Sequence, residues 1–241
     1  MNDKQSLQMT VVYDNRSLSK NFKADWGFSC FVQGLEKSIL FDTGTDGKIL
    51  LSNMAKLGIQ PEAVDLVILS HEHKDHTGGL DALLSKNSRI EVWLPDFFSS
   101  NLKNSVRNRG ASVQEVTGFQ KICSAAYTTG NVHGWIKEQS LILETEKGLV
   151  VITGCAHPRI VRIIAAVKEL TKKNIYMIFG GFHLGAYNEK EIKEIIGYFR
   201  DAGVEKTGPC HCTGDDALRL FAEEYKDDYI EIGVGKEITV Q

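Results

Sequence analysis

The chain has few of the features that would divide it or anchor it. Its four prolines do not cluster into a linker, and no internal repeat or low-complexity tract interrupts it, so a single domain over residues 1–241 is expected. No apolar run approaches the ~20 residues needed to span a bilayer. The amino-terminal MNDKQSLQMTVVYDN lacks the apolar core of a secretory leader, which predicts a soluble, cytoplasmic protein with no membrane contact. Five cysteines, at 30, 123, 155, 210 and 212, are odd in number and scattered. That suits a reducing compartment and offers no disulfide framework. A formal net charge of -3 gives no electrostatic reason for general nucleic-acid or membrane-surface binding, leaving a small-molecule substrate as the expected partner.

What is present is a repeated arrangement. Short apolar runs end abruptly in polar or ionisable residues: Ile39 to Phe41 before Asp42-Thr43-Gly44, and Leu66 to Leu69 before Ser70-His71. The same holds for Leu149 to Ile152 before Thr153-Gly154-Cys155-Ala156-His157, and for Ile175 to Phe179 before Gly180-Gly181-Phe182-His183. Such continuous, β-branched runs read as buried strands. Ile160, Ile163, Ile164 and Val167 hold the spacing of one helix face, with Pro158 expected as the first helical residue. Ile192, Ile195, Ile196 and Phe199 repeat that spacing, and Gly203 ends the second helix near Asp201 and Ala202. Near the start, Val11 to Tyr13, Ser29 to Val32 and Ile39 to Phe41 suggest a β-rich meander. The expected class is α/β, with sheets inside and helices outside. In such layered folds, loops at the carboxyl ends of strands converge on one edge. Six of the seven histidines sit on those loops.

The densest chemistry is Ser70-His71-Glu72-His73-Lys74-Asp75-His76-Thr77-Gly78-Gly79. Imidazole nitrogens bind Zn²⁺ and similar ions at ~2.0–2.1 Å, and carboxylates at comparable range. Four donors in six residues are too many for one closed site. On a loop leaving a strand, His71 and His73 can point one way while Asp75 and His76 turn toward a second position. Gly78 and Gly79 are expected to let the backbone pass close to the ions. A lone histidine is more often a satisfied structural residue than a ligand. Four donors at this spacing after a buried strand reverse that judgement.

HEHKDH resembles the HxHxDH signature of the metallo-β-lactamase superfamily. That resemblance implies a four-layer αββα sandwich, two mixed β-sheets face to face with helices outside, and two divalent metal ions along one edge. FDTG at 41 to 44 resembles the first motif, in which Asp42 supports the site through hydrogen bonds. TGCAH at 153 to 157 resembles the third, making His157 a ligand of the first ion beside His71 and His73. CHCTG at 210 to 214 resembles the last, making His211 a ligand of the second ion with Asp75 and His76. One departure matters. Many members carry an aspartate in the fourth motif that bridges the ions, whereas this chain has GGFH, with His183 in its place. His183 is therefore expected in the site, against metal or against substrate. VVYDN, WGFSCFV, ILFDTG, LSHEHKDHTGGL, KGLVVITGCAHPRI, FGGFHL and HCTGDDA are most similar to one branch, the 7,8-dihydropterin-6-yl-methyl-4-(β-D-ribofuranosyl)aminobenzene-5′-phosphate synthase-like proteins.

The resemblance implies a hydrolase using a metal-bound hydroxide, with Zn the expected metal and Mn or Fe as alternatives, acting on an ester, lactone, thioester, amide or phosphodiester. Asp75 would orient the nucleophile and His183 would protonate the leaving group or bind the substrate. The branch implies an alternative, a transferase condensing a dihydropterin diphosphate with an aminobenzene ribotide. A redox class also exists among diiron relatives, but those resemble HxExDH, with a carboxylate where this chain has His73, and carry an attached flavin domain. A sensing module that has lost catalysis would not keep every donor.

The remaining candidates read as structural. Cys155, Cys210 and Cys212 are expected to pack under the loops, the last two opposite the His211 ring if the segment is extended. His133 is expected on a surface loop. Lys103, Arg107 and Arg109 can receive an anion, but a solvated helix face is the simpler account. Phe97, Phe98, Trp26 and Trp135 are expected in the core or in a lid.

Overall fold

The computed structural model describes residues 6–241; the first five, the start of the stretch read above for a leader, lie outside the described residues. The chain forms two compact units, one ending at Thr117 and completed by Gly233–Gln241, the other running from Gly118 to Ile232.

The first unit opens with β1 (Leu7–Tyr13), β2 (Ser29–Gln33) and β3 (Ile39–Phe41). Then come α1 (Gly47–Lys56), β4 (Leu66–Ile68), the short α2 (Lys74–Thr77) and α3 (Leu80–Leu84). β5 (Glu91–Pro95), α4 (Ser100–Asn108) and β6 (Ser112–Val116) follow. The second unit contains β7 (Gln120–Cys123), β8 (Ala126–Thr128), β9 (Leu141–Thr145), β10 (Gly148–Thr153) and α5 (Ile160–Thr171). It ends with β11 (Ile175–Gly181), α6 (Glu189–Asp201), β12 (Lys206–Cys210) and α7 (Asp215–Tyr225). A last strand, β13 (Glu237–Val240), returns to the first unit.

Each unit holds one mixed sheet. The first has seven strands in the order β13-β1-β2-β3-β4-β5-β6. Its β1–β3 portion is the expected antiparallel meander, while β3, β4, β5 and β6 run parallel. The second has six strands in the order β12-β11-β10-β9-β8-β7, with β10, β11 and β12 parallel. Parallel register decides where the chemistry falls. Phe41 pairs with Ile68, so the loops after β3 and β4 leave the first sheet side by side. Thr153 pairs with Gly180 and Gly180 with Pro209, which brings the loops after β10, β11 and β12 to one edge of the second sheet.

In the second unit the helices pack into the core through the stripes visible in the sequence. Ile160, Ile163, Ile164 and Val167 of α5 are buried in the second unit's core, each such side chain contributing roughly 1.5–3 kcal/mol on burial. In α6, Ile192, Ile196 and Phe199 are buried and Ile195 packs at the margin. α6 begins with a capping box between Asn188 and Glu191, and Gly203 follows its end with φ +75. Pro158 departs from expectation: α5 starts at Ile160, because Ala156 (φ 59) and Arg159 (φ 79) turn the chain sharply on either side of the proline. No helix among the described residues is long and apolar enough to cross a membrane.

Candidate metal centre

In the first unit one carboxylate organises the site. Asp42 follows β3 with φ 55 and is fully buried. Its Oδ1 accepts from the Ser70 amide at 2.7 Å, and its Oδ2 accepts from Ser70 Oγ at 2.7 Å and from Nδ1 of His76 at 2.7 Å. Ser70 Oγ, having donated to Asp42, accepts from Nδ1 of His71 at 3.0 Å. Both rings thus carry their proton on Nδ1 and present an Nε2 lone pair, the tautomer a metal-binding imidazole needs.

Those lone pairs point in two directions. Nε2 of His71 lies 3.1 Å from Nδ1 of His73, close to the roughly 3.4 Å that separates two nitrogens on one tetrahedral ion. Nε2 of His76 lies 3.7 Å from Oδ2 of Asp75. The segment therefore presents two donor pairs, His71 with His73 and Asp75 with His76. This donor chemistry fits a pair of divalent cations. Oδ2 of Asp75 also accepts from Trp26 Nε1 at 2.8 Å. Trp26 is half exposed and holds a site carboxylate, a role the sequence did not suggest. Glu72, the intervening acid, turns away to accept from the Ser99 amide and hydroxyl ahead of α4.

Gly78 and Gly79 are needed for a reason other than the one expected. Both have ordinary negative φ, and a Cβ on either would meet backbone 2.1 Å from Thr45 O or 2.2 Å from Thr43 O. They let the histidine loop press against the FDTG loop, where Thr43 donates to His76 O through its amide and hydroxyl at 2.8 and 2.9 Å.

In the second unit the organising group is Glu138, buried before β9. Its Oε1 accepts from the amides of Gly154, Cys155 and Ala156 at 2.9–3.1 Å, and its Oε2 accepts from the His157 amide at 3.0 Å. An acidic side chain in WIKEQSLILE, just before an apolar strand, is the one signal of it in the sequence. The His157 and His183 rings stand 4.5 Å apart. His183 is exposed, with φ 52. His211, buried and with φ 52, opens a short 3-10 turn, His211–Thr213. That turn corrects the extended arrangement expected for Cys210-His211-Cys212. Thr213 fixes the turn by accepting from the Phe182 amide at 3.1 Å and donating to Cys210 O at 2.6 Å.

Cys212 consequently faces its own neighbours, with Sγ 3.6 Å from Cys155 O. Burial pushes its thiol up. Hydrogen bonds with Cys155 and His183 and the fields of His211 and His183 outweigh that and hold it well below the ordinary thiol range. A cavity of about 390 Å³ opens beside His157 and His183, with Arg159, Ile160, Tyr187 and Tyr198 among its walls.

Of the other residues singled out in the sequence, the basic ones and His133 fall where the simpler account put them, whereas Phe97 and Trp135 do not enter the core. Lys103 and Arg107 pair with Glu115, and Arg109 pairs with Asp81. His133 lies exposed on a loop. Phe98 is buried, while Phe97 is exposed and Trp135 almost fully so.

The model of the metallo-beta-lactamase superfamily matches residues 27–164. Over 95% of its length the chain is 28% identical to 95% of a Methanocaldococcus jannaschii protein, 7,8-dihydropterin-6-methyl-4-(beta-D-ribofuranosyl)-aminobenzene-5'-phosphate synthase. Among solved structures it superposes on Tm1679, a metal-dependent hydrolase of the beta-lactamase superfamily. That match has a TM-score of 0.85 and 29% identity over 98% of this chain and 99% of the other. The metallo-beta-lactamase fold protein YhfI of Bacillus subtilis matches in fold, with a TM-score of 0.73 and 16% identity over 97% of this chain and 99% of its own.

Proposed function

Because the chain belongs to the metallo-beta-lactamase superfamily, we propose that it is a metal-dependent hydrolase working at a dinuclear site of histidines and aspartate. In this reading His71 with His73 would hold one cation and Asp75 with His76 the other, with Zn²⁺ preferred and Mn²⁺ or Fe²⁺ as alternatives. The observation that carries it is the split of residues 71–76 into two donor pairs, set through Ser70 and His76 by the single carboxylate of Asp42.

Bound cations of this kind supply Lewis acidity, lowering the pKa of water and steadying negative charge on a carbonyl or phosphoryl oxygen. The chain's own groups supply the rest. Asp75, held by Trp26, orients the attacking water through a carboxylate oxygen. His183 delivers a proton from its ring to the leaving group or binds the substrate anion. The cavity beside His157 takes the organic part of the substrate, with Arg159 attracting negative charge. The reaction class is hydrolysis of an ester, thioester, lactone, amide or phosphodiester. The reduced thiols suit a cytoplasmic setting.

A second reading is favoured by the 95% coverage of the M. jannaschii synthase. There the same groups would assist condensation of a dihydropterin diphosphate with an aminobenzene ribotide, with His183 protonating the departing diphosphate. Metal analysis of the purified protein, followed by assays of phosphodiesters, lactones, thioesters and pterin diphosphates with Zn²⁺, Mn²⁺ or Fe²⁺, separates the two. Water-dependent cleavage supports hydrolysis. Diphosphate release that requires the aminobenzene partner supports the synthase reading, and a protein that retains no divalent metal overturns both.

A further inference from the structure

We propose that Cys155, His183 and Cys212 form a cation site of their own within the second unit, fitted to a soft or borderline ion such as Zn²⁺, Cd²⁺ or Co²⁺. The two sulfurs and one ring nitrogen of His183 lie within 4.8 Å of one another. Atoms bound to one tetrahedral ion sit about 3.5 Å apart when metal–sulfur bonds are about 2.3 Å and metal–nitrogen bonds about 2.0 Å. Closing the difference takes small side-chain rotations, with no movement of the strands.

Three separate features hold these donors together. Cys155 is fixed through its amide, which donates to Glu138 Oε1 at 2.9 Å. Cys212 Sγ rests on Cys155 O, 3.6 Å away. Gly181 at the end of β11 leaves the room they occupy, since a Cβ there would lie 2.8 Å from Cys212 Sγ and 2.3 Å from Gly154 O. The donors come from three strand ends that parallel register already aligns. Cys155 is buried, Cys212 half-buried and His183 exposed, so the protein covers one side of the ion and leaves a position open to solvent.

Two thiolates and an imidazole select against Mg²⁺ and Ca²⁺, which prefer oxygen, and favour ions that bind sulfur. Cys155 Sγ also lies within 4.8 Å of a ring nitrogen of His211, read in the sequence as a ligand of the second ion, so the variants below test whether the sulfurs bind an ion without that ligand set. The consequence for turnover rests on the dinuclear reading, because an ion on His183 withdraws that ring from the acid role proposed above.

The test uses the full chain, stripped with chelator, reduced, and titrated anaerobically with Co²⁺ and with Cd²⁺. A thiolate-to-metal charge-transfer band is expected in the unaltered protein, in His71→Ala/His73→Ala and in Asp75→Ala/His211→Ala. Its loss in the last variant would overturn the proposal by assigning Cys155 to the second ion's ligand set. The band should vanish in Cys155→Ser/Cys212→Ser, with at least a tenfold loss of Cd²⁺ affinity, and persist in Cys210→Ser, a folding control that alters a neighbouring buried thiol. Absence of the band from the unaltered protein overturns the proposal, as does its persistence without Cys155 and Cys212. Its loss in the His71/His73 variant also overturns it, by showing that the sulfurs serve no ion independently of the first unit. Two thiols hidden in the purified protein and restored by reductant, with no metal-dependent band, would identify a disulfide pair instead. Lost turnover in the His71/His73 variant with a retained band leaves this site standing, so failure of the two readings is distinguishable.

Discussion

Oδ2 of Asp42 lies 2.7 Å from Nδ1 of His76, and neither side chain is exposed to solvent. The contact fixes the His76 tautomer, and the same oxygen reaches His71 through Ser70. Asp42→Asn tests that role with little change of shape, because asparagine tolerates the left-handed φ of this position. Zn²⁺ affinity, measured by chelator competition, is expected to fall by about 10–100-fold, the usual cost of losing such a partner. An affinity within twofold of the unaltered protein would remove Asp42 from the site.

His73 caps the short α2 and Asp75 lies in its first turn, and neither is buried in the core, so His73→Ala and Asp75→Ala should abolish turnover while circular dichroism and the unfolding midpoint stay near those of the unaltered protein. Normal rates in either variant would sink the dinuclear mechanism.

Trp26 separates positioning from folding. It is 55% exposed, yet its Nε1 donates to Asp75 Oδ2 at 2.8 Å. Trp26→Phe keeps most of the ring and loses the donor, so stability should change by less than about 0.5 kcal/mol. Turnover should drop several-fold with KM less affected, since the group lost acts through Asp75. Equal losses in stability and rate would mark Trp26 as merely structural.

The sequence exposed those parts of the fold whose signal is local. β3 coincides with the apolar run Ile39–Phe41, and the α5 face was readable because a buried stripe must repeat at helical spacing. The donors of residues 71–76 stood out because so many ligating side chains rarely share one short loop. What stayed hidden depends on partners distant in sequence. Nothing local told that Gly79 yields to Thr43 O, that Trp26 reaches Asp75, or that the turn at 211–213 redirects Cys212 toward Cys155. Pro158 misled for the same reason: a favourable first helical residue was overridden by a turn anchored on a glutamate some twenty positions earlier.

Gly79→Ala tests the close approach of the two loops in the first unit. Its Cβ would sit 2.2 Å from Thr43 O and 2.8 Å from a Leu50 methyl, closer than any real Cβ contact. The backbone must move, at a cost of about 1–3 kcal/mol typical of overpacking. Urea denaturation should show that loss, with metal affinity falling as well because Thr43 holds the His76 carbonyl. An alanine tolerated without cost would mean that the loops are not in contact.

Glu138 makes the corresponding demand on the second unit. Its two oxygens accept four amides from residues 154 to 157, and with no exposure to solvent those amides have no water to turn to if the carboxylate is removed. Glu138→Gln retains one acceptor oxygen and places an NH2 group against an amide donor. One bond then becomes a repulsion, and the charge that strengthens the others is gone. The expected loss is about 1.5–3 kcal/mol, read from the urea midpoint, with Glu138→Ala losing more because every amide is left unsatisfied. Asp would not rescue, since its carboxylate is one methylene short of the loop. Should Glu138→Gln match the unaltered protein in both stability and metal affinity, the turn that carries His157 is held by something other than this carboxylate.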